Sequence, residues 1–308
     1  MRAQTATVSI ASLRTARLRL AHFKEMHFYN FSSFMKKQLA ITIFLLAIFS
    51  MRVWAQSEFG FAFYNVDRLY DTLPSPFYND SDYTPEGRLH WTSERYNRKV
   101  ARIAAVLDSL AVPVAALYGV ENEGVVRDIV AACGCDYSYI HRTLDSFDGL
   151  DFALLYFGDL VTPEQIVCDR RSMTVTAKVG ERNFGFILCN RAQNCEELVE
   201  NVYGYASDAL IIAAGDLRDT ELEGLGFRDI TSETERRGKG NALTRSGWRM
   251  YDRVAVRGEM RAVADVYAHR GLLDKKGAPQ ATFEGRIYRG GAGRRLPVFV
   301  RISVDGRR

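Results

Sequence analysis

The sequence predicts a mixed α/β layered domain. Strand-like and helix-like segments alternate through the first part of the chain, and strand-like segments dominate the remainder. The scale fits as well, because 308 residues with 47% hydrophobic and 25% charged side chains can fill a sizeable core. That composition excludes a disordered chain, a polytopic membrane protein and a small disulfide-stapled scaffold.

Taken in order, 59–66 (FGFAFYNV) is aromatic and β-branched and predicts a core strand. The polar stretch 78–86, with Pro85, predicts a loop. Over 91–110, Ile103, Val106, Leu107 and Leu110 recur at helical spacing with Arg and Lys between them, so an amphipathic helix is expected. The short apolar run 112–117 predicts a buried strand, and 124–132 a helix. Further strands are expected over 152–157, 173–179, 184–188, 209–214, 253–256 and 296–304, with a helix over 195–207. The polar, Gly-rich stretch 231–247 reads as a long surface loop. No internal repeat or low-complexity linker follows Gln56.

The formal charge of +4 belongs to the N-terminal segment: residues 1–55 hold eight Lys/Arg and the single acid Glu25, which leaves 56–308 at net −3. Met35-Lys36-Lys37 supplies a positive start, Leu39 to Met51 is an apolar run broken by Thr42 and Ser50, and Val53 and Ala55 occupy the −3 and −1 positions before Gln56. These features predict a signal peptide over 35–55, with 1–34 an upstream start overcall or leader and the domain proper over 56–308. The 13-residue run is far shorter than the ~20 residues a membrane span needs. The chain is therefore expected to be exported, periplasmic or extracellular in a bacterium, with no membrane span after cleavage. Residues 56–234 carry 15 basic against 29 acidic side chains, and 235–308 carry 18 against seven. Either the two parts neutralise each other in the fold, or the basic one faces phosphate. Export permits disulfides, yet five cysteines (133, 135, 168, 189, 195) leave at least one thiol unpaired, and buried structural cysteine is the default expectation.

Seven collinear segments carry a family resemblance: FYNVDRLYDT (63–72), DYTPEGRLHWTSERYNRKVARIAAVL (82–107), LYGVENEGVVRDIV (117–130), GLDFALLY (149–156), AAGDLRD (213–219), YDRVAV (251–256) and YRGGAGRRLPVFVRI (288–302). The chain resembles the endonuclease/exonuclease/phosphatase family of metal-dependent phosphoesterases, and within it a secreted bacterial branch. The resemblance implies a deoxyribonuclease-like, four-layer sandwich of two packed mixed β-sheets flanked by helices.

It also implies a site. Active relatives hold a divalent cation with carboxylates, activate water with an aspartate and stabilise the transition state with a histidine. Asn65, Asn190, Asp216 and Asp252 match retained catalytic positions, and Asp151 follows the family's GID pattern. Other positions are degenerate. Gly119 replaces the metal-binding glutamate, Arg191 the histidine of an Asn-His pair, and Arg218 the asparagine of GDxN. Arg294 and Arg295 replace the aspartate and histidine of an SDH triplet. Arginine keeps its proton near neutral pH and cannot act as the general acid/base. His90, His141 and His269 are expected to be structural or surface residues.

The leading expectation is a pseudoenzyme that has lost metal-dependent phosphoester hydrolysis and binds no metal or other cofactor. In it Arg295 pairs with Asp252, and Arg218 or Arg294 with Asp216. Arg191, Arg218, Arg294 and Arg295 are then either salt-bridge partners or an anion site for a phosphate-containing ligand. Two alternatives stay open. One is an active phosphodiesterase or nuclease with Mg²⁺ or Mn²⁺ on relocated ligands such as Glu121, Asp67 and Asp216; the other is a secreted module that binds a protein partner. Nucleic acid as a partner is left open.

Overall fold

The computed structural model describes residues 57–191, 194–218, 222 and 224–304. The expected leader over 1–34 and signal peptide over 35–55 lie outside the described residues. Among the described residues, no helix is long and apolar enough to cross a membrane.

The first part of the chain runs β1 (Ser57–Leu69), α1 (Ser93–Leu110), β2 (Val114–Val120), α2 (Glu123–Ala132), β3 (Ser138–His141) and β4 (Asp151–Tyr156). Next come β5 (Val161–Cys168), β6 (Ser172–Val179), β7 (Arg182–Asn190), α3 (Cys195–Tyr205), β8 (Leu210–Asp216) and β9 (Arg228–Asp229). The short helix α4 (Ser232–Arg236) and the hairpin β10 (Ala242–Thr244) and β11 (Gly247–Arg249) lead to β12 (Arg253–Arg257) and β13 (Arg261–Val266). A second hairpin, β14 (Phe283–Glu284) and β15 (Ile287–Tyr288), precedes β16 (Val298–Val304).

Two six-stranded mixed sheets result, ordered β13-β16-β1-β2-β4-β3 and β5-β6-β7-β8-β12-β9. Period-2 alternation divides each strand between two layers. Phe61 and Phe63 of β1 face Phe184 and Phe186 of β7 in the core between the sheets, whereas Ala62 and Tyr64 face the helices. On that outer face Val100, Ile103 and Leu107 of α1 and Val126 and Ile129 of α2 cover the first sheet. Leu198, Val199 and Val202 of α3 cover Ile187, Ile211 and Ala213 on the second. The result is the expected four-layer sandwich. Caps set the helix starts: Thr92 Oγ1 accepts from Arg95 N–H, and Asn122 Oδ1 from Val125 N–H at 3.0 Å.

All eight interior strands coincide with strands expected from the sequence. The four edge strands, β3, β5, β9 and β13, were not anticipated. Edges are half solvated, short or interrupted, so their apolar signal is weak; β5 even carries Pro163, beside a register shift. The stretch 231–247 is not a surface loop: it holds α4 and β10, and Thr231 and Asn241 are fully buried. Strand β13 precedes His269. Cys189 and Cys195 are buried as expected, but Cys133 and Cys135 are half-buried and Cys168 is exposed; none of the five is in a disulfide among the described residues.

Candidate functional site

Each sheet has one parallel strand pair joined through a helix: β1–α1–β2 in the first and β7–α3–β8 in the second. The carboxyl ends of parallel strands open into a crevice, and here they carry Asn65, Gly119, Asn190 and Asp216. Parallel register sets Asn190 beside Asp216. Asn190 Nδ2 donates to the Tyr118 hydroxyl, which ties the two sheets together at this point.

Asp216 is held from two sides. Arg218 clasps it as a fork, Nε to Oδ1 at 2.7 Å and Nη2 to Oδ2 at 2.6 Å. Arg191 donates Nε to Oδ2 at 3.2 Å and its backbone N–H to the Asp216 carbonyl at 2.9 Å. Burial alone would raise the carboxyl pKa, but the Arg218 bonds and charge, with Arg191 behind them, prevail and lower it. Gly215 takes φ +131, and a Cβ there would meet the Cys189 carbonyl oxygen at 2.0 Å, so only glycine delivers Asp216 to this place.

Asp252 forms the second half. Antiparallel register puts Arg253 opposite Gly215, so Asp252 enters at the same end of the sheet. It is 2% exposed and accepts from Arg295 Nη1 at 2.8 Å and Asn241 Nδ2 at 2.5 Å, with Asn65 as a further hydrogen-bonding partner. Burial dominates and raises its pKa; Arg295 and the amides pull it down, and the Asp216 charge pushes it up. The guanidinium carbons of Arg218 and Arg295 lie 4.7 Å and 4.6 Å from the centre of the Tyr251 ring, which joins the two ion pairs through cation–π contacts.

Arg294 does not join this group. Its Nη2 donates to the Phe283 carbonyl at 3.1 Å and its backbone N–H to Asp67 Oδ2 at 3.2 Å, which turns its side chain toward β14. Glu121 lies apart as well: it is 4% exposed, with Oε2 accepting from Asp71 N–H at 2.5 Å and Oε1 from the Tyr78 hydroxyl at 2.8 Å. Burial pushes its pKa up to about 7. Asp151 is fully buried and bonded to His141 Nε2 at 2.9 Å and Leu144 N–H at 2.8 Å, so no arginine of the group faces it; burial raises its pKa. His90 is exposed in the turn before α1, and His269 caps the turn at Gly271.

Sequence reasoning missed Asn241 and Tyr251. Asn241 sits in a polar stretch with the composition of a loop, and only the fold buries it against Asp252. In Tyr251 the ring's position between two arginines that are distant in sequence is a purely tertiary fact.

Residues 60–188 match the sequence model of the endonuclease/exonuclease/phosphatase family. Over that stretch the chain is similar to the family. Similar solved structures include a Bacteroides thetaiotaomicron family member (13% identity, 82% of this chain and 100% of that one, TM-score 0.54). A mannosyl-6-phosphatase of B. thetaiotaomicron (14%, 79% and 99%, 0.53) and a humanized D. rerio TDP2 (13%, 80% and 100%, 0.54) share the fold too. At such identities the likeness speaks for the fold. No curated protein matches the chain.

The resemblance implies a divalent cation, but the residues gathered here do not fit one. Gly119 offers no ligand atom, and its φ of +92 disfavours any side chain. The Asp216 oxygens are taken by Arg218 and Arg191, and those of Asp252 by Arg295 and Asn241. Three guanidiniums beside two carboxylates leave a positive surplus, which repels a dication. Among the described residues, no group of three His, Cys, Asp or Glu side chains is arranged to hold a metal ion.

Proposed function

We propose that this domain is an exported, catalytically silent member of its family. The observation that carries the reading is the two-pronged hold of Arg218 on Asp216, which fills the coordination a metal or an attacking water would need. Asn65, Asn190, Asp216 and Asp252 keep structural work: they bond one another's neighbours and close the ends of the two sheets. Arg191, Arg218 and Arg295 act in this reading as fixed counter-charges rather than as an anion trap. Arg294 is spent elsewhere.

A binding role suits the groove beside this site, a space of about 1030 Å³ between Arg68, Tyr118, Asn190 and the loop 144–150. Phe77 and Phe147 stand on its rim almost fully exposed, as a surface for a partner or ligand would have them.

Hydrolysis of bis-p-nitrophenyl phosphate and p-nitrophenyl phosphate with Mg²⁺, Mn²⁺ or Ca²⁺ tests the silence. The expected rate equals the metal-only blank. Metal-dependent turnover that Asp216→Ala abolishes would overturn it and restore the working-phosphoesterase reading. For export, the full chain expressed with its own leader is expected to yield an extracytoplasmic product beginning at Gln56; an uncleaved product confined to the cytoplasm would refute this.

A further inference from the structure

A second cleft opens at the β1 end, sharing Arg68 with the groove described above, and its chemistry differs from that of the Asp216 group. It encloses about 440 Å³ and is lined by Arg68, Arg88, Arg286, Arg294, Asp67 and Asp82, with the Tyr83 side chain in its wall. Three separate segments build it: the end of β1, the loop 82–89 and the β14–β15 hairpin with the stretch that follows. Basic residues of the C-terminal part thus meet acidic residues of the N-terminal part, but the charges do not cancel. Four guanidiniums face two carboxylates, a surplus of two positive charges.

The arginines are held in place rather than trailing in water. Asp67 and Arg68 both adopt left-handed backbone, φ +51 and +57, a conformation that costs a non-glycine residue energy. Buried Lys99 secures it: Nζ donates to the Asp67 carbonyl at 2.6 Å and the Arg68 carbonyl at 3.2 Å. Arg68 in turn hydrogen-bonds the Tyr83 hydroxyl. Asp82 grips Arg88 through both oxygens, with Nε to Oδ1 at 2.6 Å. Arg294 is pinned at both ends by Asp67 and Phe283. Arg286, at the exposed tip of the hairpin, feels the Asp82 charge without a direct bond to it.

We propose that this cleft binds a phosphomonoester of a small organic molecule, as its dianion. A phosphomonoester carries a charge of about −1.5 to −2 at neutral pH, which matches the surplus, and presents three oxygens to forked donors. The volume leaves room for an organic group beyond the phosphate, against Leu89 and Phe283. The assignment is independent of whether the Asp216 group turns over.

Titration calorimetry on the full chain at pH 7.5 and low salt, with phenyl phosphate, phenyl sulfate and inorganic phosphate, tests it. Phenyl phosphate is expected to bind one per chain, with phenyl sulfate, a monoanion, about tenfold weaker. Inorganic phosphate should also bind more weakly, because it lacks the ring. Arg286→Ala should weaken phenyl phosphate by about tenfold with no change in melting temperature, whereas Arg170→Ala, an exposed arginine outside the cleft, should leave it unchanged. Absence of heat from phenyl phosphate, equal affinity for the sulfate, or equal affinity for inorganic phosphate would overturn the proposal. So would loss of binding in Arg191→Ala but not in Arg286→Ala, which would place the ligand at the Asp216 group.

Discussion

Replacing Arg295 by methionine takes the guanidinium away from a buried carboxylate. Asp252 would keep the amide of Asn241 at 2.5 Å and its bond with Asn65, but its side chain is 2% exposed and water cannot replace the lost charge. Breaking a buried pair from one side costs about 3–5 kcal/mol. The Arg295 side chain is 23% exposed, so solvent already screens part of the interaction, and the lower end, about 3 kcal/mol, is the expected loss. For a domain of this size that corresponds to a melting temperature lower by roughly 6–12 °C. The pH dependence identifies the cause. Asp252 has a raised pKa in the folded chain, and losing Arg295 raises it further. The folded state then holds a proton that the unfolded state releases near pH 4, so stability falls as pH rises above that value. The penalty should accordingly shrink between pH 8 and pH 5. Urea unfolding followed by far-UV circular dichroism gives both quantities, and Asp252→Asn added to Arg295→Met should recover about 2 kcal/mol at pH 8 by removing the stranded charge. A loss under 1 kcal/mol, a penalty independent of pH, or a double variant no better than the single one would refute the reasoning.

Gly119→Glu, the substitution that reinstates the family's ligand type, should cost about 1–3 kcal/mol because of φ +92, and should yield no metal-dependent phosphodiesterase activity while Arg218 still clasps Asp216; unfolding curves and the nitrophenyl assay check both. Glu121 titrates near pH 7 in the folded chain and near 4.5 when unfolded, so the wild-type protein should lose about 2–3 kcal/mol between pH 5 and pH 8. Glu121→Gln should flatten that part of the stability profile. Gly215→Ala, which forces a Cβ to 2.0 Å from the Cys189 carbonyl, should lower stability by about 3 kcal/mol or more in the same unfolding assay.

Legibility followed burial. Strands inside the two sheets are apolar on both faces, because helices cover one side and the opposite sheet covers the other; 184–188 and 209–214 are legible for that reason. The edge strands β3, β5, β9 and β13 are made by hydrogen bonds to a neighbour chosen by the fold, a choice that leaves little trace in composition. The same applies to Asn241 and Thr231, polar residues in a Gly-rich stretch that tertiary packing buries completely.

For the candidate site, the resemblance alone implied that arginine and glycine stand where relatives carry acid/base and ligand groups. No linear pattern contains the distribution of those arginines. Arg294 and Arg295 are adjacent in sequence, yet one faces Asp67 and Phe283 while the other faces Asp252. The two sit at a bend before β16, where the local backbone sends their side chains to different partners. The inventory of charges was thus determined by the amino-acid sequence, and their division between a site where arginines hold both carboxylates and a separate cation-rich cleft was decided by the direction each side chain takes from the folded backbone.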